Sequence, residues 1–255
     1  MRRRFFTDRF ESKSATMRGD TAEHLGRVLR AEPGQIYELS DGERVFLARI
    51  ESVKSSKRSG HHIEFALIEE IEEREAALQI QLLISLVKFD RFEWCLEKAT
   101  ELGVTEIVVL AADRTDKPLL GAVAKRRARW EKILLESAQQ SRRLRPPVLR
   151  TTVDGGARGK LSGVIRPKEA FAQAAAACKI VLSERRDVKL MRDALSVYAE
   201  PSASLAIGPE GGWNDDELAA ARAAGFAEAS LGQNILRTET AVVAALAILG
   251  YTLGE

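Results

Sequence analysis

Two stretches decide the fold, Leu205-Ala-Ile-Gly-Pro-Glu-Gly-Gly-Trp213 and Leu231-Gly-Gln-Asn-Ile-Leu-Arg-Thr-Glu-Thr-Ala241. Each is a short apolar strand followed by a glycine-bearing turn, and a helical pattern begins after each turn. This order is typical of open α/β sheets, which present backbone N–H groups to ligands at the carboxyl ends of their strands. We therefore predict that both loops line one pocket. The alternative is that the glycines only make tight turns.

The helix after the first loop begins with acidic residues. Asn214 is the predicted N-cap, Glu217 completes a capping-box spacing, and Asp215 and Asp216 fill the first turn. These carboxylates cancel the attraction of a helix N-terminus for phosphate. The sequence also lacks GxxxxGK[ST] and GxGxxG, which disfavours a phosphate-binding α/β enzyme. A nucleoside without phosphates, such as S-adenosylmethionine with its cationic sulfonium, fits better.

The distribution of charge is more informative than its total. The 255 residues suffice for one large domain or two smaller ones, and 39 Lys and Arg nearly balance 37 Asp and Glu. Nine basic residues face only two acidic ones between positions 125 and 150, and eight face four in the first thirty. Two such segments suit a long polyanion such as RNA. A solvated basic helix face is the alternative.

The cysteines and the apolar segments bear on localisation. Cys95 and Cys178 are far apart and in helix-like patterns, which predicts no disulfide, no metal site and a reducing compartment, the cytoplasm. The basic first residues lack the apolar core of a signal peptide. The apolar run 241–249 is shorter than the roughly 20 residues that span a bilayer. We expect it to be a buried helix that also offers a subunit interface.

The first 73 residues are predicted to form a small β-barrel with one helix. Strand patterns cover 35–39, 44–50 and 62–68, and Asp41-Gly42 is a hairpin signal. Apolar residues have helical spacing over 21–29. The acidic run 69–75 marks the end of this module, and we place the boundary at residue 73.

From residue 74 to 255 strands alternate with helices. This alternation predicts a mostly parallel sheet with helices on both faces, an α/β fold. The predicted strands are 80–87, 105–110, 148–153, 180–182, 205–207 and one leading to 231, and the predicted helices are 89–102, 122–141, 168–178, 190–195, 215–225 and one from 238.

Motifs in family order along nearly the whole chain resemble the RsmE family of 16S ribosomal RNA uracil-N3 methyltransferases, within the SPOUT class. Besides the two glycine loops, the matching blocks are Arg2-Arg-Arg-Phe-Phe6, His24-Leu-Gly-Arg-Val-Leu-Arg30 with Gly34 and Asp41-Gly42, Lys98-Ala-Thr-Glu-Leu-Gly-Val104 with the residues from Lys88, Arg129-Trp130 through Arg142, and Leu182-Ser-Glu184. One position departs from the family pattern: Asn234 stands where Arg usually precedes Ile-Leu-Arg.

The resemblance implies a PUA-like RNA-binding barrel over 1–73 and a SPOUT methyltransferase domain with a trefoil knot over 74–255. Because knots are rare, the knot follows from the resemblance alone. The implied activity is methyl transfer from S-adenosylmethionine to N3 of a uridine in the 16S rRNA of the small ribosomal subunit, by a homodimer without metal or membrane. Two alternatives remain: another SPOUT RNA methyltransferase, such as a ribose 2'-O enzyme, and a non-catalytic RNA-binding ribosome-assembly factor.

The reaction requires alignment of donor and acceptor and loss of the N3 proton. We expect Arg237 to bind the uridine phosphate or stabilise the developing anionic oxygen, unless it pairs with Glu239 or Glu210. Glu210 either accepts a hydrogen bond from the ligand or the uracil N3–H, or braces its loop. Thr240 either caps the last helix or contacts the cofactor. The residues expected to enclose the cofactor are Leu182, Ile207, Gly208, Pro209, Gly211, Gly212, Leu231, Gly232, Ile235, Leu236 and Thr240.

A second group of residues is expected to hold the RNA backbone without reading bases. It consists of Arg2, Arg3, Arg4, Arg27, Arg30, Arg142, Arg143 and Arg145.

Overall fold

The computed structural model describes residues 3–56, 60–72, 77–151 and 164–254. The chain forms two compact units, Met1–Glu75 with Ala138–Pro146 and Ala76–Ser137 with Pro147–Glu255. The boundary predicted at residue 73 lies outside the described residues and stays a prediction. Residues 138–146, which the sequence assigns to the second domain, belong to the first unit.

The first unit contains a mixed five-stranded sheet in the order β1-β3-β4-β5-β2, in which β1 is parallel to β3 and the other neighbours are antiparallel. The predicted hairpin is confirmed, since Ser40 pairs with Val45 and Gly42 adopts a φ of 89°. The predicted helix is also present but changes from α-helix to a π-helical turn, His24–Val28. The elements are β1 (Arg4–Phe6), β2 (Ser14–Met17), α1 (Gly19–Glu23), β3 (Ile36–Ser40), β4 (Val45–Ser56) and β5 (Gly60–Ile71).

Apolar side chains on the inner face of this sheet form one core with the helix. Phe5, Leu39, Ile50 and Phe65 are almost fully buried, as is Leu25 of the π-helical turn. The pairing of β4 with β5 shifts its register at two places, between Leu47 and Ala48 and between Ile50 and Ser52. Such bulges bend a strand and increase its twist, which lets one long hairpin cover the core.

A buried ion pair ties β1 to β3. The Arg4 guanidinium lies 3.1 Å from the Glu38 carboxylate, with side-chain exposures of 3% and 9%. Arg4 also donates to the backbone carbonyl of Arg142 at 2.7 Å, and the Arg142 guanidinium lies 3.6 Å from Glu38. These contacts explain why residues 138–146 group with the first unit.

The second unit contains a fully parallel seven-stranded sheet in the order β10-β12-β9-β11-β6-β7-β8. The predicted α/β alternation is confirmed. The strands are β6 (Gln79–Ser85), β7 (Val104–Leu110), β8 (Val148–Arg150), β9 (Cys178–Leu182), β10 (Lys189–Leu190), β11 (Ser202–Ile207) and β12 (Ala227–Ser230), and the helices are α2 (Phe89–Glu101), α3 (Lys117–Gln140), α4 (Pro167–Gln173), α5 (Met191–Leu195), α6 (Asp215–Ala223) and α7 (Thr238–Leu253).

Two helix predictions need correction. The helix predicted over 168–178 ends at Gln173, and Cys178 opens β9 because it pairs with Ala203 of β11. Sheet pairing outweighs the helix propensity of the alanine-rich run. Helix α3 begins at Lys117 and not at residue 122. The strand predicted over 148–153 is described only to residue 151, so its last two residues lie outside the described part.

Three arginines of α3 make ion pairs within the second unit. Arg126 and Arg129 contact Glu93 of α2 at 3.0 and 2.8 Å, and the Arg129 guanidinium holds the pKa of that carboxyl below its usual range. Arg127 pairs with Glu131 one turn away. This part of the basic segment is therefore an ion-paired helix face. In the described part of the chain, no helix is both long and apolar enough to cross a membrane.

We expect the Arg4→Met variant to lose about 3 kcal/mol of unfolding free energy in the first unit, because Glu38 stays buried after losing its main partner. Hydrogen exchange of β3 and β4 peptides in the full chain measures this loss. The control is Arg49→Met, which removes a pair with Glu51 whose side chains are half exposed. Equal exchange in both variants would contradict the stabilising role of the buried pair.

Candidate cofactor cavity

Three adjacent strands of the parallel sheet, β12, β9 and β11, deliver their following loops to one place. The loops 183–185, 208–213 and 231–237 line a single cavity of ≈ 520 Å³. This volume lies within the roughly 300–1,000 Å³ of small-molecule sites. The two glycine loops thus line one pocket, at the edge of the sheet where α/β proteins bind their ligands.

The first glycine loop, 208–213, depends on its glycines for its path. The Trp213 indole N–H donates to the Leu182 carbonyl at 3.0 Å, which fixes the ring beneath the loop. A Cβ on Gly208 would lie 3.1 Å from that ring, and Gly212 adopts a φ of 68°. A larger residue at either position would displace the loop or strain its backbone.

The N-terminus of α6 is closed by the chain itself, as predicted. Asn214 Oδ1 accepts from the Glu217 N–H at 2.7 Å, and the Glu217 carboxylate accepts from the Asn214 N–H at 2.9 Å. The same carboxylate accepts from the Asp113 N–H at 2.9 Å. With these donors already occupied and Asp215 and Asp216 in the first turn, this helix end offers little to a phosphate.

The segment after β7 braces the first loop from outside. Arg114 donates to the Gly211 carbonyl at 2.7 Å, and a Cβ on Gly211 would lie 3.3 Å from the Arg114 Cβ. Asp113 accepts from the Asn214 side-chain amide at 2.7 Å. Arg114 itself lines the cavity.

The second glycine loop, 231–237, leaves its backbone available to a ligand. In the described part of the chain, the N–H groups from Gly232 to Leu236 donate to no protein acceptor. Gly232 adopts a φ of 132°, and the residues from 232 to 235 are exposed. Unpaired N–H and C=O groups beside an apolar wall can recognise a heterocyclic base by its ring nitrogens and exocyclic groups.

Charged side chains at the cavity divide into paired and unpaired groups. Arg91 pairs with Glu210 and lies 3.8 Å from Glu239. Arg237, the exposed N-cap residue of α7, has no ion pair among the described residues. Within the described residues Arg237 makes no ion pair with Glu210 or Glu239, whereas Arg91 lies within ion-pair distance of both carboxylates.

The structure brings together nearly all predicted site residues. Arg237, Glu210 and every residue expected to enclose the cofactor line the cavity except Thr240, which is exposed in the first turn of α7. Thr240 does not cap the helix, since the N-cap position belongs to Arg237. The lining residues that sequence reasoning missed include Arg91, Arg114, Ser183 and Arg185. The last two follow β9 directly, so the rule that ligands bind at the carboxyl ends of strands could have found them.

The predicted RNA contacts of the described chain all lie in the first unit, although they come from distant segments. Arg3, Arg27, Arg30 and Arg145 are exposed, and Arg142 and Arg143 are half-buried. Burial, and then the charge of Arg145, lower the pKa of Arg143. The structure gives Arg4 a structural role instead, because its guanidinium is buried against Glu38. Arg2 lies outside the described residues.

Comparison with known proteins shows to which class of protein the chain belongs. Residues 74–250 match the family model described as RNA methyltransferase domain. The chain is 33% identical to the ribosomal RNA small subunit methyltransferase E of Synechocystis, over 90% of this chain and 70% of that protein. It is also 33% identical to the enzyme of that name from Mycobacterium bovis, over 92% of this chain and 86% of that one. A crystal structure of ribosomal RNA small subunit methyltransferase E from Neisseria gonorrhoeae bound to S-adenosyl methionine has a TM-score of 0.81 and 30% identity, and the match covers 100% of this chain and 99% of that chain.

This chain belongs to the ribosomal RNA small subunit methyltransferase E family. The likeness over the whole length confirms the predicted fold class, a PUA-like unit joined to a SPOUT α/β unit. The trefoil knot stays a prediction.

Proposed function

We propose that this protein transfers a methyl group from S-adenosylmethionine to N3 of a specific uridine in the 16S rRNA of the small ribosomal subunit. The observation that carries the proposal is the convergence of both glycine loops on one cavity beside the unpaired Arg237. The cofactor-bound structure of the Neisseria gonorrhoeae relative supports the choice of methyl donor.

The residues of the cavity fit S-adenosylmethionine. The unused N–H groups from Gly232 to Leu236 suit the adenine, while Leu182, Ile207 and Leu231 supply apolar walls. The remaining residues expected to enclose the cofactor, Thr240 apart, line the same cavity. When bound, the cofactor would supply a methyl group on a sulfonium, and the electron pair of the broken S–CH₃ bond would remain on sulfur. The protein contributes orientation and charge.

Arg237 is assigned to the substrate. Its guanidinium can hold a uridine phosphate in a bidentate manner, or stabilise the negative charge that spreads onto the uracil oxygens when N3 loses its proton. Glu210 is assigned the bracing role, because its carboxylate already pairs with Arg91. The N3 proton leaves to water in this scheme.

One experiment separates this proposal from its two rivals. The protein is incubated with labelled S-adenosylmethionine and small ribosomal subunits that lack the modification, and the rRNA is digested and analysed by mass spectrometry. The proposal requires 3-methyluridine at a single site. A 2'-O-methylated nucleoside would identify the other branch of the class, and RNA binding without cofactor binding would identify an assembly factor. Turnover would also show that Asn234 is compatible with activity.

We expect Arg237→Ala to lower kcat/KM for rRNA by about 100-fold or more, while the Kd for S-adenosylmethionine changes less than about threefold. The reason is that Arg237 is assigned to the RNA and to the charge that develops on it. Calorimetry gives the Kd, and the methylation assay gives kcat/KM. Arg192→Ala is the control, since Arg192 is 77% exposed on α5 and does not line the cavity. Unchanged turnover in Arg237→Ala would remove Arg237 from the mechanism.

The first unit is proposed to hold the RNA backbone. Arg3, Arg27, Arg30 and Arg145 place exposed positive charge on one unit, and Arg142 and Arg143 add half-buried groups. Phosphate contacts of this kind supply affinity without reading sequence. The arginines of α3 at positions 126, 127 and 129 belong to the second unit and form no part of this RNA-binding surface.

Affinity for rRNA should fall steeply with salt, because each neutralised phosphate releases counterions. A plot of log K against log salt concentration should have a slope that becomes shallower by about one when Arg145 is changed to Ala. Fluorescence anisotropy with an rRNA fragment measures the slope, and Arg192→Ala should leave it unchanged. A flat salt dependence of the unaltered protein would contradict the electrostatic account.

We also propose that the protein is a homodimer through its second unit. Helices α2 and α7 pack together, and they expose Trp94 and Tyr251 at 42% and 93%. Ile235, in the loop before α7, is 75% exposed. Large apolar side chains exposed on neighbouring elements mark interaction surfaces.

Sedimentation should show a dimer at micromolar concentration, and Tyr251→Glu should raise its dissociation constant at least about tenfold by placing a charge in the interface. Val197→Glu is the control, because Val197 is also exposed, at 80%, but follows α5. A monomer at all concentrations, or equal effects of both variants, would argue against this interface.

We place the protein in the cytoplasm. Both cysteines are free and buried, and burial raises the pKa of Cys95 to about 12 and that of Cys178 to about 11, so both stay protonated thiols. Free thiols and an rRNA substrate agree with a reducing compartment.

A further inference from the structure

Arg91 joins three parts of the cavity that are distant in sequence. It lies in the first turn of α2, its guanidinium pairs with Glu210 of the first glycine loop, and its Nε lies 3.8 Å from Glu239 in the first turn of α7. All three side chains are partly shielded from water, with exposures of 29%, 46% and 20% for Arg91, Glu210 and Glu239. One cation therefore serves two carboxylates.

The two carboxylates belong to the two segments that must keep their spacing around a ligand. Glu210 lies between Pro209 and Gly211, which line the cavity, and Glu239 follows Thr238, which lines it from the other side. The first glycine loop is otherwise held at Gly211 by Arg114 and at Trp213 by the Leu182 carbonyl. Of these contacts, only that of Arg91 ties the loop to α7.

The same pairs determine which charges Arg237 meets. Glu239 is two residues from Arg237 in the chain, and Glu210 lines the same cavity as Arg237. Without Arg91, both carboxylates would lack a cation and would attract the Arg237 guanidinium. A guanidinium held by a protein carboxylate is no longer available to a phosphate or a uracil oxygen.

We propose that Arg91 is a positioning residue that sets the spacing between the first glycine loop and α7 and keeps Glu210 and Glu239 from capturing Arg237. The second part rests on the proposed function, because it assigns Arg237 to the RNA substrate. An arginine suits the task because its planar fork can serve two carboxylates at once, whereas a lysine offers a single point of charge.

The proposal is tested by removing the Glu210 and Glu239 carboxylates from a variant that lacks Arg91 and asking whether RNA binding is restored. Arg91→Gln should raise the KM for rRNA about tenfold, because Glu210 and Glu239 then compete for Arg237. The triple variant Arg91→Gln, Glu210→Gln, Glu239→Gln should bring that KM back to within about threefold of the unaltered protein, since the competing carboxylates are gone. A purely structural role, or direct contact of Arg91 with RNA, predicts that the triple variant is at least as impaired as the single one. That outcome would overturn the charge-capture part.

The positioning part has a readout that needs neither cofactor nor RNA. Arg91→Gln should speed hydrogen exchange in peptides covering 208–214 and 236–241 of the free protein at least about threefold, and Arg91→Lys should lie between it and the unaltered protein. Arg192→Gln, at an exposed residue of α5, is the matched control. Exchange equal to that of the control would overturn the positioning role. If the unaltered protein methylates no RNA, the proposed function fails while the exchange result still decides this part.

Discussion

Parallel pairing of β12, β9 and β11 is the constraint on which the rest of the second unit depends. The backbone ladders fix Ala227 opposite Ile180 and Ala203 opposite Cys178, so the carboxyl ends of the three strands coincide. Each following loop must then leave from the same edge. A cavity at that edge is a geometric consequence of the pairing, and the glycines allow the loops to close around it without backbone strain.

The chain neutralises most of the charge around this cavity by itself. The Glu217 carboxylate accepts from the Asn214 N–H of the capping box and from the Asp113 N–H. Arg91 pairs with Glu210 and lies 3.8 Å from Glu239. Arg185 lies within ion-pair distance of Asp215 and Glu228. Among the described residues, the cavity also offers unpaired backbone groups of the second glycine loop and the guanidinium of Arg237, which has no ion pair. Such a cavity favours a heterocyclic cofactor held mainly by backbone and a polyanionic substrate held by arginine. An RNA methyltransferase that uses S-adenosylmethionine needs this pair of ligands.

A count of charges in the sequence does not distinguish the structural roles of the basic residues. In the sequence, residues 125–150 form one basic segment, but the structure divides it. Arg126 and Arg129 pair with Glu93 in the second unit, while residues 142–145 belong to the first unit with Arg3, Arg27 and Arg30. Arg4 is buried against Glu38, where only its pairing makes burial tolerable. Composition cannot separate these three roles, because each depends on partners far away in the chain.

Local chemistry alone determined most of the elements and the two glycine loops that line the pocket. The glycine loops after apolar strands, the Asn214 to Glu217 capping box and the Asp41-Gly42 turn act over a few residues, so they could be predicted from the sequence. Only the tertiary structure decided where α4 ends, that Thr240 lies outside the cavity, and that Arg91 and Arg114 belong to it. Those outcomes depend on sheet register and on contacts between side chains that are distant in the sequence. Arg114 and Gly211, for example, are in contact although 97 positions separate them in the chain. Such contacts have no signature in local sequence, because burial and electrostatic pairing between distant residues are properties of the folded chain.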